Sequence, residues 1–183
     1  FYVCSYGGCG SKMLCRYLSN FGAIKHIHSR KPPKQLKRIG GEHKEWFNLD
    51  KTISKSLLDR FTVIYIYRNP ADAIYSRFTI ENHLKNIQCN TDIKLKDVIQ
   101  KKEDLYEIEE FFNNYTIPNP KLNYSIHCVK YEDFFDNVAE FNRVFKLEDK
   151  KELYPIKRES NRIKPIKNEL DEIYHNLKTK WIK

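Results

Sequence analysis

The sequence predicts an α/β fold, a three-layer sandwich in which a central parallel β-sheet is flanked by helices. Short apolar runs rich in valine, isoleucine and tyrosine alternate along the chain with segments of helical periodicity. Strands separated by helical crossovers form parallel sheets that are covered on both faces. Two of the apolar runs lead through a polar turn directly into a predicted helix, and ligands of such sheets bind where the strands end.

The predicted strands and helices follow in chain order. Strands are predicted over residues 1–6, 23–28 and 62–67, and a fourth lies within residues 123–135 and runs into a turn. Helices are predicted over residues 11–20, 54–60, 92–114 and 169–180, with another ending at Val144. A further helix begins at Asn69 and Pro70, because asparagine is a good N-cap and proline is favoured at the first helical position.

A chain of 183 residues can bury a core of its own, so we expect a single domain over residues 1–183. We also expect a basic loop at residues 29–45 that is mobile without ligand, a mainly helical insert at 80–120 and a basic C-terminal loop at 157–167. No apolar run approaches the roughly 20 residues that cross a bilayer. The chain opens directly in a strand, which leaves open whether an upstream segment has been removed.

The net charge of +9, from 33 basic and 24 acidic residues, favours an anionic partner. Such a partner is a nucleotide, a nucleic acid, an acidic glycan or a membrane surface. A lysine-rich solvated surface explains the overall charge equally well. Nucleic-acid binding would require aromatic residues among the lysines and arginines of one exposed face. The tyrosines fall mostly in apolar strands instead, so we expect no specific nucleic-acid partner.

The cysteine pattern bears on redox and metal chemistry. The five cysteines are Cys4, Cys9, Cys15, Cys89 and Cys128. Their odd number and the lack of a CxxC spacing argue against a disulfide framework or a structural metal site. Cys4 and Cys128 lie in apolar strand-like runs, where we expect buried thiols. Cys9 has no neighbouring histidine in sequence to activate it, so a nucleophilic role is not favoured.

The first polar turn, SYGGCGSK, leaves the first predicted strand and opens the first predicted helix. Its glycines, Gly7, Gly8 and Gly10, let the backbone curl tightly and approach an oxyanion without Cβ interference. Ser11 adds a hydroxyl donor and Lys12 a charge, at the positive end of the helix dipole. The order Gly-Ser-Lys differs from the P-loop GxxxxGK[ST], so no conventional kinase or ATPase motif is present. An ordinary strand-to-helix turn is the alternative.

The second polar turn contains Arg68, which ends the third predicted strand, and Ser76, which lies eight residues later in the following helix. A guanidinium offers a planar fork for a phosphate, and a serine hydroxyl supplies a neutral third donor. In isolation, a surface arginine and a helix-packing serine explain the pattern equally well. Two such turns in one chain, however, indicate a nucleotide that carries phosphates at both ends.

Together these segments resemble the sulfotransferases that use 3′-phosphoadenosine 5′-phosphosulfate (PAPS), which have a P-loop-NTPase-like fold. SYGGCGSKM is similar to their 5′-phosphosulfate loop, Y-P-K-S-G-T-T-W. YRNPADAIYS is similar to their 3′-phosphate motif, R-N-P-x-D-x-x-x-S, which is the more specific of the two. VKYEDFF, residues 129–135, resembles their strand-end segment R-Y-E-D-L. The resemblance covers most of the chain in order, and residues 80–120 are unmatched.

The resemblance implies PAPS as donor and adenosine 3′,5′-bisphosphate as product, with no metal. The implied donor-binding residues are Gly7, Gly8, Cys9, Gly10, Ser11, Lys12, Met13, Arg68, Ser76, Arg158, Ser160 and Arg162, the last three in a loop that closes over the nucleotide. One position departs from the family pattern, because the family's loop lysine aligns with Gly8. Either Lys12 or a lysine from another segment replaces it, or activity is lost.

Sulfuryl transfer requires positioning, electrostatic stabilisation and a base for the acceptor hydroxyl. His26 and His28 lie two residues apart in the second predicted strand, so both point to one face. His28 is nearer the expected ligand, and its segment is similar to the family's K-T-H-L-P histidine. We therefore predict His28 as the base and Lys12 as a catalytic cation. A structural histidine, an incidental metal site, or a base from His43, Glu42 or the insert are the alternatives.

The sequence thus predicts a PAPS-dependent sulfotransferase acting on a hydroxyl or amine acceptor, such as a carbohydrate. The basic loop either selects an acidic acceptor such as a glycan or serves as a lid over the nucleotide. A nucleotide kinase, or a nucleotide- or polyanion-binding protein without transferase activity, is the alternative. This stretch of chain favours the cytoplasm, whereas an upstream anchor, as in the family's Golgi members, would imply the Golgi lumen. The sequence does not predict an oligomeric state.

Overall fold

The centre of the fold is a four-stranded parallel β-sheet, seen in a computed structural model that describes residues 1–37, 55–78, 87, 92–157 and 166–180. Its strands are β1 (Tyr2–Cys4), β2 (Lys25–Ile27), β3 (Val63–Tyr67) and β4 (Ile126–Lys130), in the spatial order β2-β1-β3-β4. In the register of the sheet, Val3 lies between His26 and Ile64. The predicted parallel sheet is confirmed, with strands that are shorter than predicted.

The middle strands, β1 and β3, are buried, whereas β4 lies at an edge of the described sheet. All of β1 and the first four residues of β3 are buried, which explains their continuous apolar sequences. The prediction of a buried thiol is confirmed for Cys4. It is wrong for Cys128, which is exposed because β4 pairs with β3 alone in the described sheet.

Helices connect the strands and cover them. They are α1 (Ser11–Leu18), α2 (Pro70–Phe78), α3 (Leu95–Lys101), α4 (Ile108–Thr116), α5 (Tyr131–Phe134), α6 (Val138–Val144), α7 (Lys167–Ile173) and α8 (His175–Lys180), with 3-10 helices at Lys55–Arg60 and Lys151–Leu153. The closing helix, predicted as one, is therefore interrupted at Tyr174. No helix among the described residues is long and apolar enough to span a bilayer.

The helices pack on both faces of the sheet. Successive residues of a strand point to opposite faces, so Tyr2 and Cys4 join one core and Val3 joins the other. The first core contains residues of α2, α3, α4, α7 and α8, and the second contains residues of α1, α5 and α6. These two cores on either side of the sheet make the predicted three-layer sandwich.

The charged part of the insert, predicted as one helix, is two helices, α3 and α4. Lys102 and Glu107 each have a φ of 54°, in the left-handed region, which interrupts the helical path. The Asp104 carboxylate stabilises the turn between them by accepting a 2.9 Å hydrogen bond from the Glu109 N–H. The single-helix prediction is wrong because apolar periodicity does not report such a turn.

The first part of the basic loop, residues 29–37, is held against the rest of the fold. The hydroxyls of Tyr115 and Tyr124 donate hydrogen bonds to backbone carbonyls of this stretch. Arg30 forms an ion pair with Glu110 of α4 at 3.2 Å. The expected mobility therefore does not extend to this part of the loop, and the remainder of the loop lies outside the described residues.

Candidate active site

The strand order changes direction between β1 and β3, because the chain crosses from β1 to β2 on one side and continues from β3 to β4 on the other. Such a switch point opens a crevice at the carboxyl ends of the strands. His28 follows β2, the glycine-rich turn follows β1, Arg68 follows β3 and Tyr131 follows β4. The two predicted phosphate-binding segments therefore leave adjacent strands at the same edge.

The glycine-rich turn after β1 is packed too closely for side chains at its glycines. Gly7, Gly8 and Gly10 have φ values of 102°, 67° and 78°, a region that favours glycine. A Cβ at Gly8 would lie 2.3 Å from the carbonyl oxygen of Ala73 in α2. A Cβ at Gly10 would lie 2.4 Å from the ring of Tyr131. A lysine cannot take the place of Gly8 in this turn, which gives a physical reason for that departure from the family pattern.

The amino end of α1 begins directly after this turn. Gly10 caps the helix, and its carbonyl accepts hydrogen bonds from the N–H groups of Met13 and Leu14 at 3.0 and 3.2 Å. The N–H groups of Ser11 and Lys12 come before the first of these bonds and have no acceptor within the helix. They therefore remain donors for another partner. The first turn of α1 has no acidic residue, so the positive end of the helix dipole favours an anion.

Cys9 is a structural part of the turn. Its side chain is buried, and the thiol donates a hydrogen bond to the Gly7 carbonyl at 3.1 Å. Burial raises the pKa of Cys9 to about 12, which Arg68 and Arg77 only partly oppose. The thiol is therefore protonated at neutral pH, in agreement with the expectation that Cys9 is not a nucleophile.

Arg68 connects the two predicted phosphate-binding segments. Its Nη1 donates a 3.4 Å hydrogen bond to the Gly8 carbonyl, and its guanidinium carbon lies 4.7 Å from the centre of the Tyr131 ring. Asp72 and Glu132 lie at 3.9 and 4.0 Å from its nitrogens. Its Nε is buried and has no hydrogen-bond acceptor among the described residues. The Gly8 carbonyl, the Tyr131 ring and the two acids thus fix the orientation of the side chain.

Ser76 lies on α2, one helical turn after Asp72, the acid that neighbours Arg68. The side chain of Asn69 caps the helix as predicted, since its Oδ1 accepts a 3.3 Å hydrogen bond from the Asp72 N–H. Asp72 and Ser76 are four residues apart and therefore share one face of the helix. Because Asp72 neighbours Arg68, the Ser76 hydroxyl lies on the same helix face as this neighbour of Arg68.

His26 lies in β2 and His28 directly follows it, and their rings are in contact, with centres 4.3 Å apart. Nδ1 of His28 lies 2.8 Å from the backbone carbonyl oxygen of Ser5. A carbonyl only accepts hydrogen bonds, so Nδ1 of the neutral ring carries the proton and Nε2 is the basic nitrogen. Partial burial, followed by Lys12 and Arg77, lowers the pKa of His26. The charges of Lys12 and Arg77 thus act on the His26 ring.

Sequence reasoning missed three residues of this crevice. Tyr131 and Glu132 contact Arg68 from the turn after β4. Both belong to the Y-E-D segment, which resembles a segment of the family but was assigned no role in the site. Arg77, beside Ser76, had no signal at all, because an arginine near the end of a helix is common.

Other predicted residues lie outside the part of the chain that the structure describes. These are Arg158, Ser160 and Arg162 of the C-terminal loop, and the alternative bases Glu42 and His43. Within the described residues, no group of three or more histidine, cysteine, aspartate or glutamate side chains is arranged to hold a metal ion.

A cavity of about 960 Å³ lies beside the amino end of α1. Its wall includes Gly10, Lys12 and Met13, then Tyr131 and Phe135 from the segment after β4, and residues 152–156. Tyr131 lines the cavity and also contacts the guanidinium of Arg68, so one ring links the cavity wall to that arginine. A mixed wall of aromatic, thioether and basic side chains is suited to a ligand with an apolar ring and an anionic group.

Comparison with known proteins identifies the family. The family model for the sulfotransferase domain matches residues 29–160, which is more than half of the chain. The match contains Arg68, Ser76 and Glu132, whereas the glycine-rich turn precedes it. Comparisons with curated proteins and with solved structures gave no match. The matched segment and the parallel α/β sheet agree, and the chain belongs to the sulfotransferase family.

Proposed function

We propose that this sulfotransferase takes its sulfuryl group from PAPS, passes it to a hydroxyl or amine acceptor and releases adenosine 3′,5′-bisphosphate. The observation that carries the proposal is the contact between Arg68 and the Gly8 carbonyl, which joins two anion-binding features at one edge of the sheet. One feature is the amino end of α1, and the other is the arginine after β3. A nucleotide with phosphate groups on both sides of its ribose suits this pair. We propose the whole chain, residues 1–183, as the domain that carries the site.

The residues present fit such a donor. The N–H groups of Ser11 and Lys12 and the positive dipole end of α1 favour the 5′ anionic group. The guanidinium of Arg68 favours the 3′-phosphate, with Ser76 as a neutral donor. The cavity beside Met13 and Tyr131 is large enough for an adenosine. In this proposal Arg158, Ser160 and Arg162 close over the nucleotide.

When bound, PAPS supplies an activated sulfuryl group whose leaving phosphate gains negative charge. Lys12, Ser11 and the backbone N–H groups of the turn stabilise that charge. His28 accepts the acceptor's proton at Nε2, because the Ser5 carbonyl holds its Nδ1 proton. Lys12 and His28 are the catalytic residues of this proposal, and neither role requires a metal.

The acceptor class follows from charge. Lys31, Lys34 and Lys37 are exposed in the described part of the basic loop, whereas Arg30 is used in ion pairs with the insert. The loop follows His28 directly in sequence. We therefore propose an acidic acceptor, such as a carboxylated or sulfated glycan, rather than a neutral small molecule. The protein's location and oligomeric state do not enter this proposal.

Calorimetric titration tests the donor. The wild-type protein is titrated with adenosine 3′,5′-bisphosphate, with 5′-AMP, and with ATP in the presence of magnesium. We expect the bisphosphate to bind most tightly and its affinity to be unchanged by EDTA. Preference for magnesium–ATP would favour a kinase, and preference for long polyanions such as heparin over the bisphosphate would favour a polyanion-binding protein.

A further inference from the structure

A buried arginine, Arg77, lies against the glycine-rich turn and has no part in the scheme above. It is the penultimate residue of α2, and only 4% of its surface is exposed. Among the described residues it is the one buried side chain with a formal charge. Burying a guanidinium is costly unless its surroundings compensate the charge. Its position therefore requires a physical explanation.

The guanidinium of Arg77 occupies the space that a side chain at position 7 would need. A Cβ at Gly7 would lie 1.7 Å from Nη1 of Arg77 and 2.7 Å from its Cζ. The φ of Gly7 is 102°, which also requires glycine. The arginine and the glycine are thus matched to one another, and the guanidinium lies directly on the backbone of the turn.

Neighbouring groups fix where this charge acts. The guanidinium carbon of Arg77 lies 5.8 Å from the centre of the Tyr6 ring, and the Tyr6 hydroxyl is anchored by a 3.0 Å hydrogen bond to a backbone carbonyl of the insert. The pKa of His26 is lowered mainly by partial burial, then by Lys12 and then by Arg77. The charge therefore lies beside Tyr6 and Gly7, at the start of the turn.

We infer that Arg77 is a positioning residue that supplies, from beneath the turn, the fixed positive charge that the family's loop lysine would supply. Gly8 has no room for a side chain, and Lys12 lies after the turn, at an exposed position in α1. Arg77 remains charged at any physiological pH and packs on Gly7, so it both favours an anion and holds the N–H groups of the turn in place. This inference rests on the proposed function and adds Arg77 to Ser11 and Lys12 on the 5′ side of the donor.

Nucleotide binding to the Arg77→Met variant tests the inference. Methionine keeps much of the aliphatic stem and removes the charge. The probes are adenosine 3′,5′-bisphosphate, 5′-AMP and 3′-AMP, each titrated calorimetrically. Because interactions with charged groups are strong, we expect about tenfold or greater loss of affinity for the two nucleotides with a 5′-phosphate. The affinity for 3′-AMP should stay close to that of the wild type.

The matched control is Arg143→Met, which removes an exposed charge from α6, far along the chain from the turn. All three affinities should be unchanged in it. Arg77→Lys restores the charge without the planar fork and should recover part of the affinity for 5′-phosphate nucleotides. If Arg77→Met does not fold, Arg77→Lys carries the test, with a smaller loss confined to the same two nucleotides.

A second measurement needs no ligand. NMR titration of the imidazole signals should show that the pKa of His26 rises in Arg77→Met and not in Arg143→Met, because one neighbouring cation is gone. Equal losses for all three nucleotides, or no loss for any, would overturn the inference while leaving the donor assignment intact. A wild-type protein that binds none of the three would contradict the donor itself, and the role of Arg77 with it.

Discussion

The backbone N–H of Asn69 donates a 2.9 Å hydrogen bond to Oε1 of Glu132. Asn69 opens α2 after β3, and Glu132 lies in the first turn of α5 after β4, so the bond ties together the ends of two neighbouring strands. The same oxygen lies 4.0 Å from Nε of Arg68. The orientation of Arg68 therefore depends on the pairing of β3 with β4.

Replacing Glu132 should loosen this connection. In Glu132→Ala the Asn69 N–H loses its charged acceptor, so we expect a loss of about 1–3 kcal/mol in the free energy of unfolding. Glu132→Gln keeps a carbonyl oxygen and should cost less. Urea denaturation of both variants measures the difference. Asp133→Ala, which removes the adjacent and more exposed acid, is the control and should cost about 0–1 kcal/mol. Equal stability of Glu132→Ala and wild type would contradict the role given to this bond.

Arg68→Ala should separate the two phosphate sites of the proposed donor. The guanidinium is fixed by the Gly8 carbonyl and the Tyr131 ring, so its removal deletes a preorganised partner of the 3′-phosphate. We expect about 10- to 100-fold weaker binding of adenosine 3′,5′-bisphosphate, and little change for 5′-AMP, by calorimetry. Arg143→Ala, which removes an exposed arginine of α6, is the control. An equal loss for both nucleotides would argue against a 3′-phosphate at Arg68.

Much of the fold was predictable, because local patterns carry it. The runs FYVCSY and TVIYIY are continuous apolar sequences, as buried parallel strands require, and Asn69-Pro70 marks the start of α2. The turn between α3 and α4 was not predictable, because its left-handed residues, Lys102 and Glu107, are not glycines. Cys128 was misassigned because its exposure depends on its strand lying at an edge, which local sequence does not report.

The arrangement of the candidate site was predictable where a motif is local and not where it is assembled from distant segments. Arg68 and Ser76 belong to one contiguous pattern, and residues 7–13 to another. Glu132 lies far along the chain from the Asn69 N–H that it binds, so only the sheet register reveals the contact. Arg77 reaches Gly7 in the same way, from the far end of α2. The roles of Arg158, Ser160 and Arg162 stay predictions.

His28→Gln should remove the proposed base while leaving the donor site in place. The ring is oriented by the Ser5 carbonyl, and glutamine cannot accept and release a proton in its place. We expect kcat to fall by roughly 100-fold or more and the affinity for adenosine 3′,5′-bisphosphate to stay near that of the wild type. His175→Gln, which changes an exposed histidine of α8, is the matched control. Intact turnover in His28→Gln would assign the proton to another residue.

Restoring the family lysine should be harmful in this chain. Gly8→Lys places a Cβ 2.3 Å from the Ala73 carbonyl oxygen at a φ of 67°, so we expect a loss of about 2 kcal/mol or more in the free energy of unfolding. Gly22→Lys is the matched control, because Gly22 has no positive φ and its nearest neighbour is the Phe1 ring at 3.1 Å. It should cost less than about 1 kcal/mol in urea denaturation. A Gly8→Lys variant as stable as Gly22→Lys would show that the turn can move to admit the lysine.

The histidine pair should make stability depend on pH in a definite direction. Partial burial, then Lys12 and Arg77, lowers the pKa of His26 from its ordinary value of 6.5, so the unfolded chain takes up a proton there more readily than the folded protein does. The contribution of His26 to stability is therefore complete above pH 6.5 and is lost as the pH falls through the lowered folded-state pKa. Urea denaturation of wild type and His26→Gln between about pH 7.5 and about pH 5.5 measures it, since other titrating groups are common to both proteins. The stability of His26→Gln should rise relative to that of the wild type as the pH falls, and parallel curves would mean that folding does not lower the pKa of this ring.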